Sequence, residues 1–187
     1  MTAAAQTQIP GYLAGTWDID PVHSDVSFSV RHMMVSKVRG RFGGVSGSFT
    51  TGADLTGSSV RAEIDASSID TGNGQRDGHV RSADFFDVDN HPTWTYVSTG
   101  VRPGEDGLVV DGDLTIKGVT RSVPLAVEIG GFGPDAYGGT RAGFSATTTI
   151  NRNDFGVDIA MPLDGGGVVV GDKVQITLEI EGVLRTA

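Results

Sequence analysis

The sequence predicts an all-β protein whose eight or more antiparallel strands bury one common face. Apolar and polar residues alternate along at least eight short runs, which is the period of a half-buried strand. The chain also contains 28 glycines against seven prolines, as expected where many strands are joined by tight turns. One irregular stretch, from Asp70 to Trp94, interrupts this pattern.

The 187 residues suffice for one domain with a sizeable core. Residues 1–14 are small, polar and non-periodic, so we predict a flexible N-terminal segment followed by a single β-barrel domain over residues 15–187. No signal peptide pattern precedes that domain, which predicts a cytoplasmic location.

Composition excludes several classes of function. A net charge of −9 argues against nucleic acid and anionic membrane surfaces as obligate partners. No apolar run approaches the roughly 20 residues that span a bilayer, so we expect no integral membrane protein. The absence of cysteine excludes disulfides, thiolate metal sites and cysteine nucleophiles.

The alternation predicts which residues of each strand point inward. A further strand at residues 93–99 carries Trp94 and Tyr96 on one face, whose direction the alternation does not fix. The other predicted inward residues are, strand by strand, Val26, Phe28 and Val30; Val38, Gly40 and Phe42; Val45, Gly47 and Phe49; Val60, Ala62, Ile64 and Ala66; Leu108, Val110, Gly112, Leu114 and Ile116; Val123, Leu125, Val127 and Ile129; Ala142, Phe144, Ala146, Thr148 and Ile150; and Val174, Ile176, Leu178 and Ile180.

A sheet with one apolar face must pack on a second sheet or close on itself. The interior of an eight-stranded barrel is filled by side chains or holds one small ligand. Small inward residues such as Gly40, Ala62, Gly112 and Ala146 leave room and favour a ligand cavity. The same residue types also mark bulges and corners, so a filled barrel that serves as an interaction module stays an alternative.

The irregular stretch predicts a cap over one barrel end. Residues 75–83 can form two helical turns, and Phe85 and Phe86 follow as a lid or a plug. His79 with Asp77 and Asp84 could form a metal or acid–base cluster, which is the alternative of an enzyme. The spacing matches no compact ligand motif, however, and a helix of this kind more often pins a loop through hydrogen bonds. We therefore predict no catalytic residue, no metal and no cofactor.

Several ordered motifs resemble those of the YceI-like family, and the resemblance covers residues 15–182. The motifs are WDIDPVHS at 17–24, FSVRH at 28–32, DTGN with RDGHVRSADFFD within 70–87, HP at 91–92, GDLTIKGVT at 112–120, NRNDFG at 151–156 and VGDKV at 170–174.

The resemblance implies an eight-stranded antiparallel barrel of lipocalin-like shape with a short helix-containing cap. It further implies an apolar tunnel that binds, and transports or stores, a polyisoprenoid or isoprenoid-quinone-like lipid, without catalytic turnover. Family members are often periplasmic or secreted, and we also consider a homodimer. His32, Arg76, His79 and Arg81 are candidates to meet a polar head group or to hold the cap. The tunnel-lining role is carried over to Phe28, Val30, Phe42, Phe49, Ile64, Phe85, Phe86, Trp94, Tyr96, Leu114, Ile116, Phe144 and Phe155.

Overall fold

The chain winds into a closed antiparallel β-barrel with one short helix packed at one end. The computed structural model describes residues 9–159 and 170–186. Within these ranges the strands and the α-helix are β1 (Gly15–Ile19), β2 (Asp25–His32), β3 (Ser36–Phe42), β4 (Val45–Thr51), β5 (Ser59–Asp65), β6 (Ile69–Asp70), α1 (Gly74–Arg81), β7 (Thr93–Pro103), β8 (Leu108–Ile116), β9 (Val119–Ser122), β10 (Leu125–Pro134), β11 (Thr140–Asn151) and β12 (Val170–Leu184).

Eight positions around the barrel are filled in the order β1, β4, β5, β7, β8, β10, β11 and β12. The ring closes because β12 also pairs with β1, which places Trp17 opposite Leu184. The predicted eight-stranded antiparallel barrel is therefore confirmed. The short strand β9, which pairs with β8 outside this ring, was not predicted.

Two of the eight positions are occupied by strands that break in the middle. β12 is 15 residues long, and it pairs with β1 near its C-terminus and with β2 along the rest. In the same way, β4 pairs with β1 and β3 with β2. The second break falls at Gly43 and Gly44, where a Cβ on Gly44 would lie only 2.8 Å from the Cβ of Asp65. Each broken position, β1 with β2 and β3 with β4, therefore runs further along the barrel than either of its two strands alone.

The strand directions give the barrel two distinct ends. The cap end carries the β2–β3 turn, α1 and the short 3-10 turn that follows β11. The far end carries the connections β4–β5, β7–β8 and β10–β11. Tyr12 lies against this far end, because its hydroxyl donates to the Gly52 carbonyl at 2.6 Å and its ring packs on Phe132.

Helix α1 forms the cap with the turns that follow it. It begins one residue before the predicted range because the side chain of Asn73 accepts from the Arg76 N–H at 3.0 Å, as an N-cap does. It ends two residues early, since the Ser82 N–H turns back to the His79 carbonyl. Eight residues are too few to stay helical alone in water. Contacts with the barrel therefore hold it, chiefly those of Arg81, which donates to the Ser67 and Ile69 carbonyls.

Candidate functional site

The barrel encloses two cavities, one in each half. The far chamber has a volume of about 170 Å³, and its lining includes Phe49, Tyr96 and Phe144. The cap chamber has a volume of about 240 Å³, and its lining includes Phe28 and Phe86. The filled-barrel alternative predicted no cavity, whereas two are present.

Side chains of three residues border both chambers and form a waist between them. These are Val26, Trp94 and Ile176. Within the waist, the Trp94 ring packs on Phe42 and Phe86, with ring centroids 4.7 and 4.8 Å apart. The chambers are thus separated by packed side chains of these residues.

The indole nitrogen of Trp94 is buried without a hydrogen-bond acceptor among the described residues. Only 6% of this residue is exposed. The second tryptophan differs, because Trp17 donates from Nε1 to the Thr51 hydroxyl at 2.9 Å. A buried donor without a partner costs about 1–3 kcal/mol. The waist therefore contains an unpaired N–H group that is itself covered by its neighbours.

The inward glycines do not leave empty space directly, which corrects the sequence argument. A Cβ on Gly112 would lie 2.5 Å from the Tyr96 ring, and a Cβ on Gly40 would lie 2.5 Å from the Phe28 ring. At these two positions the glycine thus accommodates a neighbouring aromatic ring that lies close against the wall. Because these rings do not stand across the interior, the space near the axis stays open. The prediction that Gly47 points inward is wrong, because Gly47 is exposed and a Cβ there would lie 2.2 Å from the Arg61 carbonyl oxygen.

The structure places nearly all of the predicted site residues on the two chambers. Arg81 is the exception, since it lines neither chamber and binds backbone carbonyls of the β5–β6 connection instead. Trp94 borders both chambers. The far chamber is lined by Phe49, Ile64, Tyr96, Leu114 and Phe144. The cap chamber is lined by Phe28, Val30, His32, Phe42, Arg76, His79, Phe85, Phe86, Ile116 and Phe155.

The polar residues of the cap form a network that pins the helix to the barrel. The guanidinium of Arg76 donates to the hydroxyl and the carbonyl of Thr71, at 2.8 Å each. The buried carboxylate of Asp77 accepts from the Thr71 N–H and hydroxyl. His79 points elsewhere, because its Nε2 lies 3.1 Å from the exposed carboxylate of Asp84. The three residues of the predicted acid–base or metal cluster therefore do not converge.

Sequence reasoning missed Arg152, which is buried and lines the cap chamber. Its guanidinium donates to four backbone carbonyls, those of Val157, Ile159, Val170 and Gly171, and to the Asp172 carboxylate. These five bonds use all five N–H donors of an arginine. Arg152 thus holds the rim of the chamber together and keeps no donor free for a ligand. The sequence pattern that could have identified Arg152 is the alternation along β11. Ile150 points inward, and Arg152 is the next residue with the same parity.

Burial sets the charge state of the one phenol in the far chamber. The Tyr96 hydroxyl donates to the Val123 carbonyl at 2.8 Å, close to the Val110 carbonyl. Burial, and after it the nearby carboxylates of Asp111 and Asp113, raises the pKa of Tyr96. The phenol therefore stays neutral, and its donor is used within the wall.

A second polar cluster lies on the barrel wall away from both chambers. The ligand atoms of Asp20, His23 and Glu181 lie within 4.8 Å of one another. A cation is already present there, because Nη1 of Arg141 donates to Asp20 at 2.6 Å and to Glu181 at 2.8 Å. Hydrogen bonds from His23 and Arg141 hold the pKa of Asp20 well below its ordinary value. This cluster is an ion-pair network that fastens the strand break to its neighbours.

Comparisons with known proteins agree over most of the chain. A family model for a YceI-like domain matches residues 17–182. A UPF0312 protein of Vibrio cholerae serotype O1 is 36% identical over 170 residues, which are 90% of this chain and 86% of the relative.

Two solved structures share the fold. BcnA of Burkholderia cenocepacia matches with a TM-score of 0.72 and 26% identity, over 88% of this chain and 99% of that protein. A polyisoprenoid-binding domain from Saccharophagus degradans, implicated in plant cell wall breakdown, matches with a TM-score of 0.65 over 93% of this chain and all of that domain. At 19% identity this second likeness shows the fold alone.

Proposed function

The chain belongs to the YceI-like domain family, and we propose that its barrel binds the apolar chain of a polyisoprenoid or isoprenoid-quinone-like lipid. The observation that carries this proposal is the pair of apolar chambers in one barrel, separated only by side chains. A long, flexible hydrocarbon is the ligand that suits two such chambers. The polyisoprenoid-binding domain of the same fold supports the choice of lipid class.

The driving force of such binding is the burial of apolar surface, at about 25 cal/mol for each Å² removed from water. Pockets of this kind bind mostly through apolar contact and use a few polar groups to fix orientation. In this barrel the charged and imidazole side chains that line a chamber lie at the cap end, among them His32, Arg76 and His79. The polar residues of the far chamber carry hydroxyl groups only, and they are Thr50, Thr51, Ser58, Ser59, Tyr96 and Thr148. We therefore place the polar head group at the cap end and the tail toward the far chamber. The role that we propose for this binding is storage or transport of the lipid, without turnover.

The free N–H of Trp94 supplies a test of ligand chemistry at the waist. Because this N–H is covered in the unliganded barrel, a ligand reaches it only when the Trp94 ring turns toward a chamber. A carbonyl oxygen of the lipid would then accept the hydrogen bond, whereas a pure hydrocarbon would leave it unmade. Substituting Trp94→Phe removes the donor and keeps an aromatic ring. We expect the dissociation constant of a short-chain ubiquinone to rise about fivefold, which corresponds to about 1 kcal/mol.

The matched control for Trp94→Phe is squalene, a prenyl hydrocarbon without oxygen. Its affinity should not change, because it cannot accept the bond. Titrations followed by native mass spectrometry give both dissociation constants. An equal loss for the two ligands would mean that the ring contributes shape only.

The lipid proposal itself is tested on protein purified without detergent. Native mass spectrometry should show a discrete adduct, and denaturing extraction of the same sample should release a prenyl lipid in stoichiometric amount. A clean apo mass, together with no uptake of added prenyl lipids, would overturn the proposal.

The remaining expectations stay predictions from the sequence. Nothing in the geometry of the described residues favours the enzyme built on Asp77, His79 and Asp84, because Asp77 is committed to Thr71. A homodimer and a cytoplasmic location likewise stay predictions.

A further inference from the structure

The turn between β2 and β3 exposes three consecutive apolar residues at the cap end. Met33 is 44% exposed, Met34 is 48% exposed and Val35 is 86% exposed. We call residues 33–35 the tip. Exposed apolar residues that stand singly are normal on protein surfaces, whereas a contiguous group marks an interaction site.

The backbone of the tip gives no folding reason for these residues. Met33 has φ 51° and Met34 has φ 61°, in the left-handed region that favours glycine and asparagine. The turn is closed by a hydrogen bond from the Val35 N–H to the His32 carbonyl. Asparagine and glycine would form such a turn with less strain and less exposed apolar surface. Strain of this kind, kept at an exposed site, points to a function for the side chains.

Basic residues extend from the tip along one face of the hairpin, in a protein of net charge −9. The exposed residues Arg31, Lys37, Arg39 and Arg41 account for four of the 14 lysines and arginines of the chain. They share one face of the hairpin, with Arg31 directly opposite Lys37. None of the four belongs to an ion pair among the described residues, although Asp70 lies opposite Arg41 in the strand pairing. We call these four residues the basic ladder.

The tip stands at the rim of the cap chamber. His32, the residue before the tip, lines that chamber together with Val30 and Val38 from the two strands of the hairpin. A surface that binds to the tip would therefore lie beside the candidate entrance for a lipid.

We propose that the tip inserts into the interface of an anionic lipid bilayer while the basic ladder contacts lipid phosphates. Apolar side chains among basic ones are the composition of interfacial membrane anchors, and anionic leaflets attract such basic groups. An acidic protein partner would suit the ladder but not the three exposed apolar residues. The docking itself does not depend on the proposed function. Only its purpose, loading and unloading of the barrel, rests on it.

The basic ladder is a local exception to the acidic character of the chain. The net charge of −9 predicts no obligate anionic membrane partner, but it averages over the surface and does not register four basic residues on one hairpin. Among the described residues no helix has the length and apolar character needed to cross a bilayer. The contact that we propose is a peripheral one, made by the tip and the basic ladder.

Vesicle flotation of the full chain tests the docking. We expect binding to vesicles of phosphatidylcholine with phosphatidylglycerol, weak binding to phosphatidylcholine alone, and release at high salt. Substituting Val35→Asp should lower the bound fraction about tenfold. The matched control is Val22→Asp, because Val22 is 83% exposed and lies beyond the end of β2 that is opposite the tip. The length of β2, roughly 23 Å at 3.3 Å per residue, separates it from the tip. The control should bind like the unmodified chain.

A second variant separates the charge from the apolar tip. Lys37→Glu combined with Arg39→Glu should abolish the preference for phosphatidylglycerol. Equal binding by the two aspartate variants, or no vesicle binding by the unmodified chain, would overturn the docking proposal. Lipid extraction from vesicle-free protein distinguishes this failure from failure of the proposed function. A lipid-loaded protein that ignores vesicles refutes docking alone, and a docking protein without lipid refutes the ligand alone.

Discussion

Ala146→Phe is expected to abolish most lipid binding while the barrel stays folded. Ala146 is 7% exposed and lines the far chamber. A cavity of about 150 Å³ is large enough to hold a benzene ring, so the phenylalanine ring would occupy much of this chamber of about 170 Å³. Each 100 Å² of apolar ligand surface that stays in water lowers the favourable free energy of binding by about 2.5 kcal/mol. This loss corresponds to an affinity about sixtyfold weaker. Native mass spectrometry of the purified variant measures the loss.

The matched control is Thr147→Phe, on the same strand. Thr147 is exposed and points outward, so the same ring added there should leave lipid occupancy unchanged. The stability of Ala146→Phe should stay within about 2 kcal/mol of the unmodified protein, because the added ring enters existing space. Full lipid occupancy in the folded Ala146→Phe variant would show that the far chamber is not part of the binding site.

The barrel could be predicted because its strands alternate with a strict period of two. Phe28, Leu114 and Phe144 line the chambers as the alternation placed them, since a strand with one buried face allows no other register. The collinear pairs β1–β2 and β3–β4 could not be predicted in this way. Alternation describes each strand separately, whereas only the pairing with β12 shows that two short strands share one position in the ring.

The division of the interior into two chambers was also beyond the sequence. Trp94 and Tyr96 share one face, but alternation alone did not say whether that face points inward. The waist depends on the packing of Trp94 against Phe42 and Phe86, which come from β3 and from the cap. Contacts between residues so far apart in the chain are set by tertiary packing, and no local pattern encodes them.

Glycine was misread for a related reason. The sequence predicts space inside the barrel at Gly40 and Gly112, whereas each receives an aromatic ring from an adjacent position. A glycine in a strand indicates that another group lies close to the backbone there, but the sequence does not say whether that group is a ligand, another backbone segment or a neighbouring side chain. The conclusion that the barrel is hollow was right, although the glycines contribute to it through the rings that they accommodate.

The rim of the cap chamber should prove the least tolerant part of the barrel, because one buried side chain organises it. Replacing Arg152→Met keeps much of the side-chain volume but leaves four backbone carbonyls, including those of Val157 and Val170, without their donor. Since each unsatisfied buried acceptor costs about 1–3 kcal/mol before local rearrangement, we expect the free energy of unfolding to fall by about 3 kcal/mol. Denaturant titration followed by circular dichroism measures this change.

The matched control is Arg102→Met, because Arg102 forms an exposed ion pair with Asp111. Its loss should cost less than about 1 kcal/mol, as is usual for surface ion pairs. Hydrogen exchange locates the effect, since faster exchange in Arg152→Met should concentrate at residues 157–159 and 170–172. If the two variants were equally stable, the five hydrogen bonds of Arg152 would contribute no more than a surface pair does. The rim would then be held by apolar contacts such as those of Phe155, which is 2% exposed.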